Sequence, residues 1–176
     1  MPLLAYVFSH RPSPGVDKKS YEEALRRFHA ALASAPSSGF VRSATYRIGD
    51  SYSDWYLVES SAALDWLNAA AISGARTPAH DAAARMAVDG VGKLLSLVSG
   101  EPPSGGPGFE IRFAKPAGMS YTDLYARLQS WSSLPAVSLW RRMMVLGPPP
   151  EFCLLAPSAL ELAAEMRPEV LPRDAI

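Results

Sequence analysis

The chain of 176 residues holds a single cysteine, Cys153, so it can form neither an internal disulfide nor a zinc site built on cysteines. Its 17 Lys and Arg balance 17 Asp and Glu. Nucleic acids and anionic membrane surfaces attract proteins with a basic excess, so this balance argues against both partners. No apolar run approaches the roughly 20 residues of a membrane-spanning helix, and the first residues lack the basic leader of an export signal. We therefore expect a cytoplasmic protein.

Several sequence motifs that carry chemistry are also missing. The sequence has no HExxH, GxSxG or CxxC motif, and its glycine-rich stretch at 100–108 is interrupted by three prolines and follows no predicted strand. Three scattered histidines do not predict a preformed zinc site. We expect no cofactor, although a haem held by one axial histidine stays an alternative, because such ligation needs only one residue.

The residues that are present favour a packed domain, since 48% are apolar and only 19% are charged. In the first half, apolar runs bounded by turn residues predict strands at 4–12, 40–48 and 54–59. Apolar residues at helical spacing predict helices at 17–35 and 62–71. The order of these elements is β-α-β-β-α.

The second half repeats this order. A strand at 108–116 ends at proline like the first strand, and Ser120-Tyr121 opens a helix as Ser20-Tyr21 does. The strand at 137–146 matches 40–48, and 151–160 aligns with 55–64. We interpret the chain as a tandem duplication.

The segment between the halves starts with Thr77-Pro78, a typical helix start, and its intermittent apolar face predicts a connecting helix up to Val98. Gly90 and Gly92 each disfavour helix by roughly 1 kcal/mol relative to Ala, so we expect a kink or break there. The predicted organisation is a first repeat at 1–75, the connecting helix and a Pro/Gly-rich linker at 76–107, and a second repeat at 108–176, in one compact unit.

Two β-α-β-β-α units in one chain resemble the dimeric α/β-barrel superfamily, in which two ferredoxin-like units pair their sheets. The resemblance implies an α+β fold in which both repeats close a pseudo-dimeric α/β barrel within one chain. Chlorite-dismutase-like proteins, stress-responsive barrel proteins and the antibiotic-biosynthesis-monooxygenase group share this architecture. The stretch 59–86 is similar to the region after the third strand of these barrels. Trp66 and His80 match the Trp and His of haem-degrading members, whose first-strand Asn is here His10 or Ser9.

Strand alternation sorts the side chains of the predicted strands into two faces. We expect the more uniformly apolar set to face the helices: Ala5, Val7, Tyr56, Val58, Phe109, Ile111, Phe113, Phe152 and Leu154. The other set would line the barrel interior: Tyr6, Phe8, His10, Trp55, Leu57, Glu59, Glu110, Arg112, Glu151, Cys153 and Leu155. The second strands alternate less cleanly, and Arg47 is placed inward on weaker grounds.

An apolar interior with a few convergent polar groups is the usual form of a small-molecule site. His10, beside Glu59 or Glu110, is the candidate general base, and Arg112 is the candidate holder of a carboxylate or enolate oxygen. Ligand contacts are expected from Tyr6, Phe8, Arg47, Trp55 and Glu59. In the alternative interpretation Glu110 and Arg112 simply pair and His10 is solvated. The role of His80 stays open, and His29 is expected at the edge of the buried face of the first helix.

The sequence thus predicts a small-molecule-binding barrel protein. Its activity would be that of a cofactor-free monooxygenase or isomerase-like enzyme on a hydrophobic carbonyl metabolite. One alternative is a non-catalytic binding or assembly module whose barrel is filled by side chains, and another is a haem-binding protein. Because duplication supplies both units in one chain, either a monomer or a homodimer fits.

Overall fold

A computed structural model describes residues 2–102, 105–144, 147 and 149–176. The described residues form eight strands and four α-helices. The strands are β1 (Leu4–Pro12), β2 (Phe40–Ile48), β3 (Ser51–Val58), β4 (Ala87–Gly100), β5 (Gly108–Phe113), β6 (Ser138–Arg142), β7 (Phe152–Ala156) and β8 (Glu169–Ala175). The helices are α1 (Lys18–Ser34), α2 (Ala63–Ala71), α3 (Thr77–Ala84) and α4 (Tyr121–Ser132), with 3₁₀ turns at Gly74–Arg76 and Ala164–Met166.

The strands are hydrogen-bonded in the order β1-β3-β2-β8-β5-β7-β6-β4, which is the order of a closed antiparallel barrel. The fold class is therefore α+β, as predicted. Residues 145–146 of the strand expected at 137–146, and residues 103–104 of the expected linker, lie outside the described residues. None of the described helices is both long and apolar enough to cross a membrane.

The chain divides into two units, and the first contains residues 1–94 and 175–176. In its sheet β3 pairs with both β1 and β2. Helix α1 begins where the Asp17 side chain accepts the Ser20 backbone N–H at 2.8 Å, an N-cap that satisfies one of the free amides of the first turn. The buried residues of α1 recur at helical spacing and pack on the sheet: Tyr21, Ala24, Leu25, Phe28 and Leu32.

The segment after α2 corrects the expected connecting helix. Helix α3 ends at Ala84, and residues 87–100 form strand β4 instead of more helix. Gly90 and Gly92 mark the difference, because each lies directly against an aromatic ring of β1. No helix reaches the break expected at Gly90 and Gly92, because both glycines lie within the strand, where the absence of a side chain allows the close approach of these rings.

The second unit contains residues 95–174. Strand β5 pairs with β7 and β8, and β6 pairs with β7 and β4. Helix α4 starts at Ser120, whose hydroxyl accepts the Asp123 backbone N–H at 3.1 Å. Its inner residues Leu124 and Leu128 are fully buried in the core of this unit.

The end of the chain also differs from the expected repeat. The alignment of 151–160 with 55–64 predicts a helix after Pro157, but residues 157–163 are irregular and lead into a 3₁₀ turn and β8. Leu162 and Met166 are buried in the core of the second unit, and the Ala114 N–H donates to the Met166 carbonyl at 2.9 Å. Tertiary packing of these two side chains overrides the helical pattern of the local sequence.

Candidate functional site

The register of β1 against β3 decides which side chains of β1 point toward the helices. Tyr6 lies opposite Tyr56, and His10 lies opposite Tyr52. Residues directly opposite in an antiparallel pair share a face, and Tyr52 and Tyr56 are buried in the core beneath the helices of the first unit. Tyr6, Phe8 and His10 therefore face the helices, and their expected inward orientation is wrong.

The residues expected to face the helices on the third strand and in the second half are confirmed, whereas Glu59, expected inside the barrel, is exposed. Tyr56 and Val58 pack in the core of the first unit, and the helix-facing residues of β5 and β7 pack in the core of the second. Ala5 and Val7, expected against the helices, instead lie opposite Leu57 and Trp55 on the other face of the sheet. All four are buried. The error arose because apolar and aromatic residues alternate along β1, so hydrophobicity did not distinguish its faces.

A cavity of about 300 Å³ lies within the first unit, on the helix side of its sheet. Its wall is mostly apolar and comes from β1, β3, the first residue of β4 and the three helices. The lining residues are Tyr6, Phe8, His10, Tyr21, Leu25, Phe28, Leu32, Asp54, Tyr56, Leu64, Leu67, Asn68, Ala71, His80, Ala83, Ala84 and Ala87. Of the predicted site residues, the structure brings Tyr6, Phe8 and His10 together at this cavity.

His10 lies between the Tyr21 hydroxyl and the Asp54 carboxylate, and all three residues line the cavity. The His10 ring is only 2% exposed, with Nδ1 2.5 Å from the Tyr21 hydroxyl and Nε2 3.2 Å from Asp54 Oδ2. Because a carboxylate can only accept, the proton of a neutral His10 belongs on Nε2, and the Tyr21 hydroxyl then donates to Nδ1. The expected partner of His10, Glu59 or Glu110, is thus replaced by Asp54.

Asp54 is the centre of the polar network and is 3% exposed. It accepts hydrogen bonds from the Thr45 hydroxyl at 2.7 Å and from the Tyr56 hydroxyl at 3.0 Å. A second histidine, His29 on α1, places Nε2 3.5 Å from the other carboxylate oxygen. Two hydroxyl donors and two imidazoles surround this carboxylate, which is how a buried charge is made tolerable.

The surroundings shift the acidities of the network. Burial alone raises the pKa of Asp54, but the hydrogen bonds of His10 and His29, together with their positive charges whenever the rings are protonated, outweigh it, so the pKa of Asp54 lies well below the usual value. Burial and then the negative charge of Asp54 raise the pKa of Tyr21 and of Tyr56. The site therefore holds an ionised carboxylate beside phenols that keep their protons.

The second histidine is fixed on the far side of Asp54. His29 Nδ1 lies 2.7 Å from the Ser43 hydroxyl, and its ring stacks on Tyr56 with centroids 5.3 Å apart. His29 does not line the cavity. The prediction placed it at the edge of the buried face of α1, and at that edge it supports Asp54.

His80 reaches the cavity from α3. Its Nδ1 lies 3.1 Å from Asp81, and its ring packs edge-on against Phe28 with centroids 5.5 Å apart. Phe28 is seven residues beyond Tyr21 on α1, or about 10 Å along the helix axis. His80 and the Tyr21–His10 pair are therefore polar groups at separate points of one apolar cavity.

The other predicted ligand contacts do not line the cavity. Arg47 pairs with Glu22 at 3.1 Å, Trp55 lies on the sheet face away from the helices, and Glu59 is exposed just after β3.

Glu110 and Arg112 belong to the second unit and are not among the residues that line the cavity. The Arg112 Nε donates to Glu110 Oε1 at 2.6 Å, and Glu110 is 3% exposed. Burial lowers the pKa of Arg112, but the charge of Glu110 more than compensates, so its pKa is raised. The pairing follows the alternative interpretation of these two residues.

Sequence reasoning missed Asp54, the residue around which the site is built. A signal was present, because Asp54 is the one charged residue of β3, and aspartate is depleted in strands. Asp54 shares a strand face with Tyr56, two residues further on, whereas the Tyr21 hydroxyl contacts His10, 11 residues away on β1, which only folding brings within reach.

The two residues that match haem-degrading proteins do not converge here. Trp66 is 62% exposed on α2 and is absent from the cavity wall, whereas His80 is part of it. Across residues 2–102, 105–144, 147 and 149–176, no group of three or more His, Cys, Asp or Glu is arranged to hold a metal ion.

Comparison with protein-family models and with curated proteins finds no match. Solved structures do match. A candidate chlorite dismutase superposes with a TM-score of 0.60 at 12% identity, covering 100% of this chain and 95% of its own. A candidate monooxygenase from Lactobacillus acidophilus has a TM-score of 0.54 at 7% identity, covering 99% of this chain and 77% of its own.

A third solved structure is SnoaB, a cofactor-independent oxygenase from Streptomyces nogalater. It has a TM-score of 0.43 at 16% identity and covers 59% of this chain and 98% of its own. The superposition over the whole chain and the antiparallel strand order agree with the expected α+β fold and its barrel. The chain has the fold of the dimeric α/β-barrel superfamily.

Proposed function

We propose that the protein is an enzyme that binds a hydrophobic, carbonyl-bearing small molecule in the cavity of the first unit and removes a proton beside the carbonyl. The observation that carries this proposal is the chain of Tyr21, His10 and Asp54, three residues of the cavity lining that join a phenol and an imidazole to a buried, ionised carboxylate. A buried carboxylate that orients an imidazole and stabilises its charged form is a common way to make a general base.

The contacts favour a relay in which His10 acts through Tyr21. Both ring nitrogens of His10 already face a polar neighbour, Nδ1 the Tyr21 hydroxyl and Nε2 the Asp54 carboxylate at 3.2 Å, so the Tyr21 oxygen is the group of this pair left to meet substrate. The substrate C–H proton passes to the Tyr21 oxygen while the Tyr21 proton passes to His10 Nδ1. The products are an enolate and an imidazolium, and Asp54 stabilises the imidazolium.

The enolate is common to both expected activities. Return of the proton to another carbon gives an isomer. Reaction of the enolate with dioxygen is instead a monooxygenase activity. In the overall reaction a CH₂ group and O₂ yield a carbonyl group and water. One structural neighbour is described as a candidate monooxygenase, which supports oxygenation as an outcome. Neither outcome calls for an organic cofactor in this proposal.

The cavity wall favours an uncharged substrate. None of the described residues that line it is Lys or Arg, so a carboxylate or phosphate would enter a largely apolar space without a guanidinium or ammonium partner. Arg112, the expected anion holder, pairs with Glu110 in the second unit, and we propose that this pair stabilises that unit.

Deuterium exchange tests the proposal directly. 2-Tetralone, a neutral bicyclic ketone with an acidic CH₂, is incubated with the protein in D₂O, and loss of the proton signal is followed by NMR. We expect the protein to accelerate exchange, and Tyr21→Phe and His10→Gln to reduce that acceleration by about 10²-fold or more. Circular dichroism checks that each variant is folded.

Tyr125→Phe is the matched control, because the Tyr125 hydroxyl contacts Arg141 in the second unit and does not line the cavity. Its exchange rate should equal that of the original protein. Full activity of both Tyr21→Phe and His10→Gln would refute the relay. Tight binding of 2-tetralone without exchange would favour the non-catalytic binding module instead.

We further propose that the two halves are duplicated ferredoxin-like units that form a pseudo-dimeric barrel, in a cytoplasmic protein. The element order supports duplication, since strand, helix and two strands recur and each half ends with a further strand, β4 or β8. Native mass spectrometry would separate monomer from homodimer and would detect any small molecule that stays bound.

A further inference from the structure

Two glycines of β4 lie directly beneath aromatic rings that line the cavity. A Cβ atom on Gly90 would lie 2.5 Å from Phe8 Cζ, and one on Gly92 would lie 2.3 Å from the Tyr6 Oη. Gly90 and Gly92 are two apart on one strand and therefore present the same face, as do Phe8 and Tyr6 on β1. Each ring reaches across from β1 and covers the backbone of one glycine.

These glycines are needed for space rather than for backbone conformation. Neither has a positive φ, so alanine could adopt the same backbone at both positions. An added methyl group would instead force the tip of each ring back by roughly 1 Å to restore ordinary van der Waals contact. The tips are the free ends of side chains, so rotation about the side-chain bonds can supply this movement without displacing a strand.

The rings separate the glycines from the cavity. Phe8 and Tyr6 line the cavity, while Gly90 and Gly92 do not, so a ring lifted off its glycine moves toward the cavity. At about 300 Å³ the cavity is at the lower end of the range for small-molecule sites, where a small intrusion removes a large share of the space.

We propose that Gly90 and Gly92 are specificity-determining residues, which set the depth of the cavity and thereby the largest ring system it accepts. This inference rests on the proposed function, because it assumes that the cavity is the binding site. The absence of a side chain at these positions lets the tips of Phe8 and Tyr6 approach β4 closely and form the floor of the site. An alanine at either position would convert the protein to one that prefers smaller ligands.

The test compares two neutral aromatic alcohols that differ by one fused ring, 2-naphthol and 9-phenanthrol. Their dissociation constants are measured by fluorescence for the original protein and for Gly90→Ala and Gly92→Ala. We expect each variant to lose about 10-fold more affinity for 9-phenanthrol than for 2-naphthol, the scale at which pockets discriminate small differences in size. Gly106→Ala is the control, because no atom lies within 4 Å of a Cβ placed there and its φ is not positive.

A second variant tests the direction of the effect. Phe8→Leu shortens the side chain above Gly90, so it should restore binding of 9-phenanthrol when combined with Gly90→Ala. Equal losses for both alcohols in the glycine variants, or no rescue by Phe8→Leu, would overturn the inference.

Crystal structures of the variants separate this inference from the proposed function. If Gly90→Ala and Gly92→Ala move the Phe8 and Tyr6 rings into the cavity, the glycines set the depth of the cavity. Failure of the original protein to bind either alcohol would refute the cavity as an aromatic-binding site, but it would leave this conclusion about the glycines unchanged. Rings that stay in place would overturn the inference whatever the binding data show.

Discussion

Replacing Asp54 by asparagine keeps the shape of the side chain and removes the charge on which the buried network depends. The carboxylate accepts two hydroxyl hydrogen bonds, from Thr45 and Tyr56, and faces His10 and His29 at 3.2 and 3.5 Å. Asparagine has only one acceptor oxygen, so at least one hydroxyl donor then faces an amide N–H₂ group. The substitution therefore disrupts several contacts at once.

The expected cost follows from these contacts. A hydrogen bond to a charged group contributes about 1.5–3 kcal/mol, and breaking a buried ion pair by removing one partner costs about 3–5 kcal/mol. These contributions overlap, so we expect Asp54→Asn to lower the free energy of unfolding by about 3–5 kcal/mol at neutral pH. Urea denaturation followed by circular dichroism measures this quantity.

The pH dependence of this loss has a definite sign. Because the folded protein holds the pKa of Asp54 below its unfolded value of about 3.9, the stabilisation is fully present above about pH 4. It declines as the pH falls through the folded-state pKa. The difference in stability between the original protein and Asp54→Asn should therefore shrink in acid.

Asp81→Asn is the matched control. Asp81 also lies 3.1 Å from a histidine nitrogen, but its side chain is 43% exposed. An exposed pair contributes about 0–1 kcal/mol, so this variant should unfold almost like the original protein. A loss below about 1 kcal/mol for Asp54→Asn, or equal losses for both variants, would refute the assignment of Asp54 as the centre of the network.

Three further measurements test other parts of the fold. Leu128→Ala, at a fully buried position of α4, should lower the free energy of unfolding by about 2–5 kcal/mol in urea denaturation. Leu134→Ala, at a 44% exposed position, should lower it by under about 0.5 kcal/mol. Similar losses for both variants would contradict the assignment of Leu128 to the core. Ser120→Ala removes the N-cap of α4 and should lower stability by about 1 kcal/mol, with Ser120→Asp restoring it. Burial raises the pKa of Tyr21 and of Tyr52, so stability should fall as the pH rises above about 10, and ultraviolet titration should show these phenols ionising only with unfolding. Ionisation at the usual pKa in the folded protein would show that they are not buried as described.

Periodicity predicted the elements that carry strong local signals. The strand–helix–strand–strand order of each half, the inner face of α1 and the helix-facing residues of β5 and β7 follow from apolar spacing alone. Periodicity failed for β4, where glycines at 90 and 92 look like helix breakers but are there to accommodate rings from β1. It also failed after Pro157, where the burial of Leu162 and Met166 outweighs helix propensity.

In the candidate site, too, the sequence indicated some of the residues and left their contacts to the tertiary structure. The sequence singled out Tyr6, Phe8 and His10 because strand alternation placed them in the barrel interior. All three line a cavity, but that cavity lies on the helix side of the sheet. The sequence could not choose their face, because every residue of β1 from 4 to 8 is apolar or aromatic, and it could not join His10 to Asp54, 44 residues further along the chain.

What the sequence determined by itself is therefore local: which segments extend, which coil into helices, and which side chains carry chemistry. These follow from steric preferences and from the burial of apolar faces, both of which act over a few residues. Only the tertiary structure decided that the cavity lies beneath the helices of the first unit and that Asp54 binds both His10 and His29. Strand register sets those contacts, and register is fixed by packing across the whole sheet, where a shift of one residue would turn every side chain to the other face.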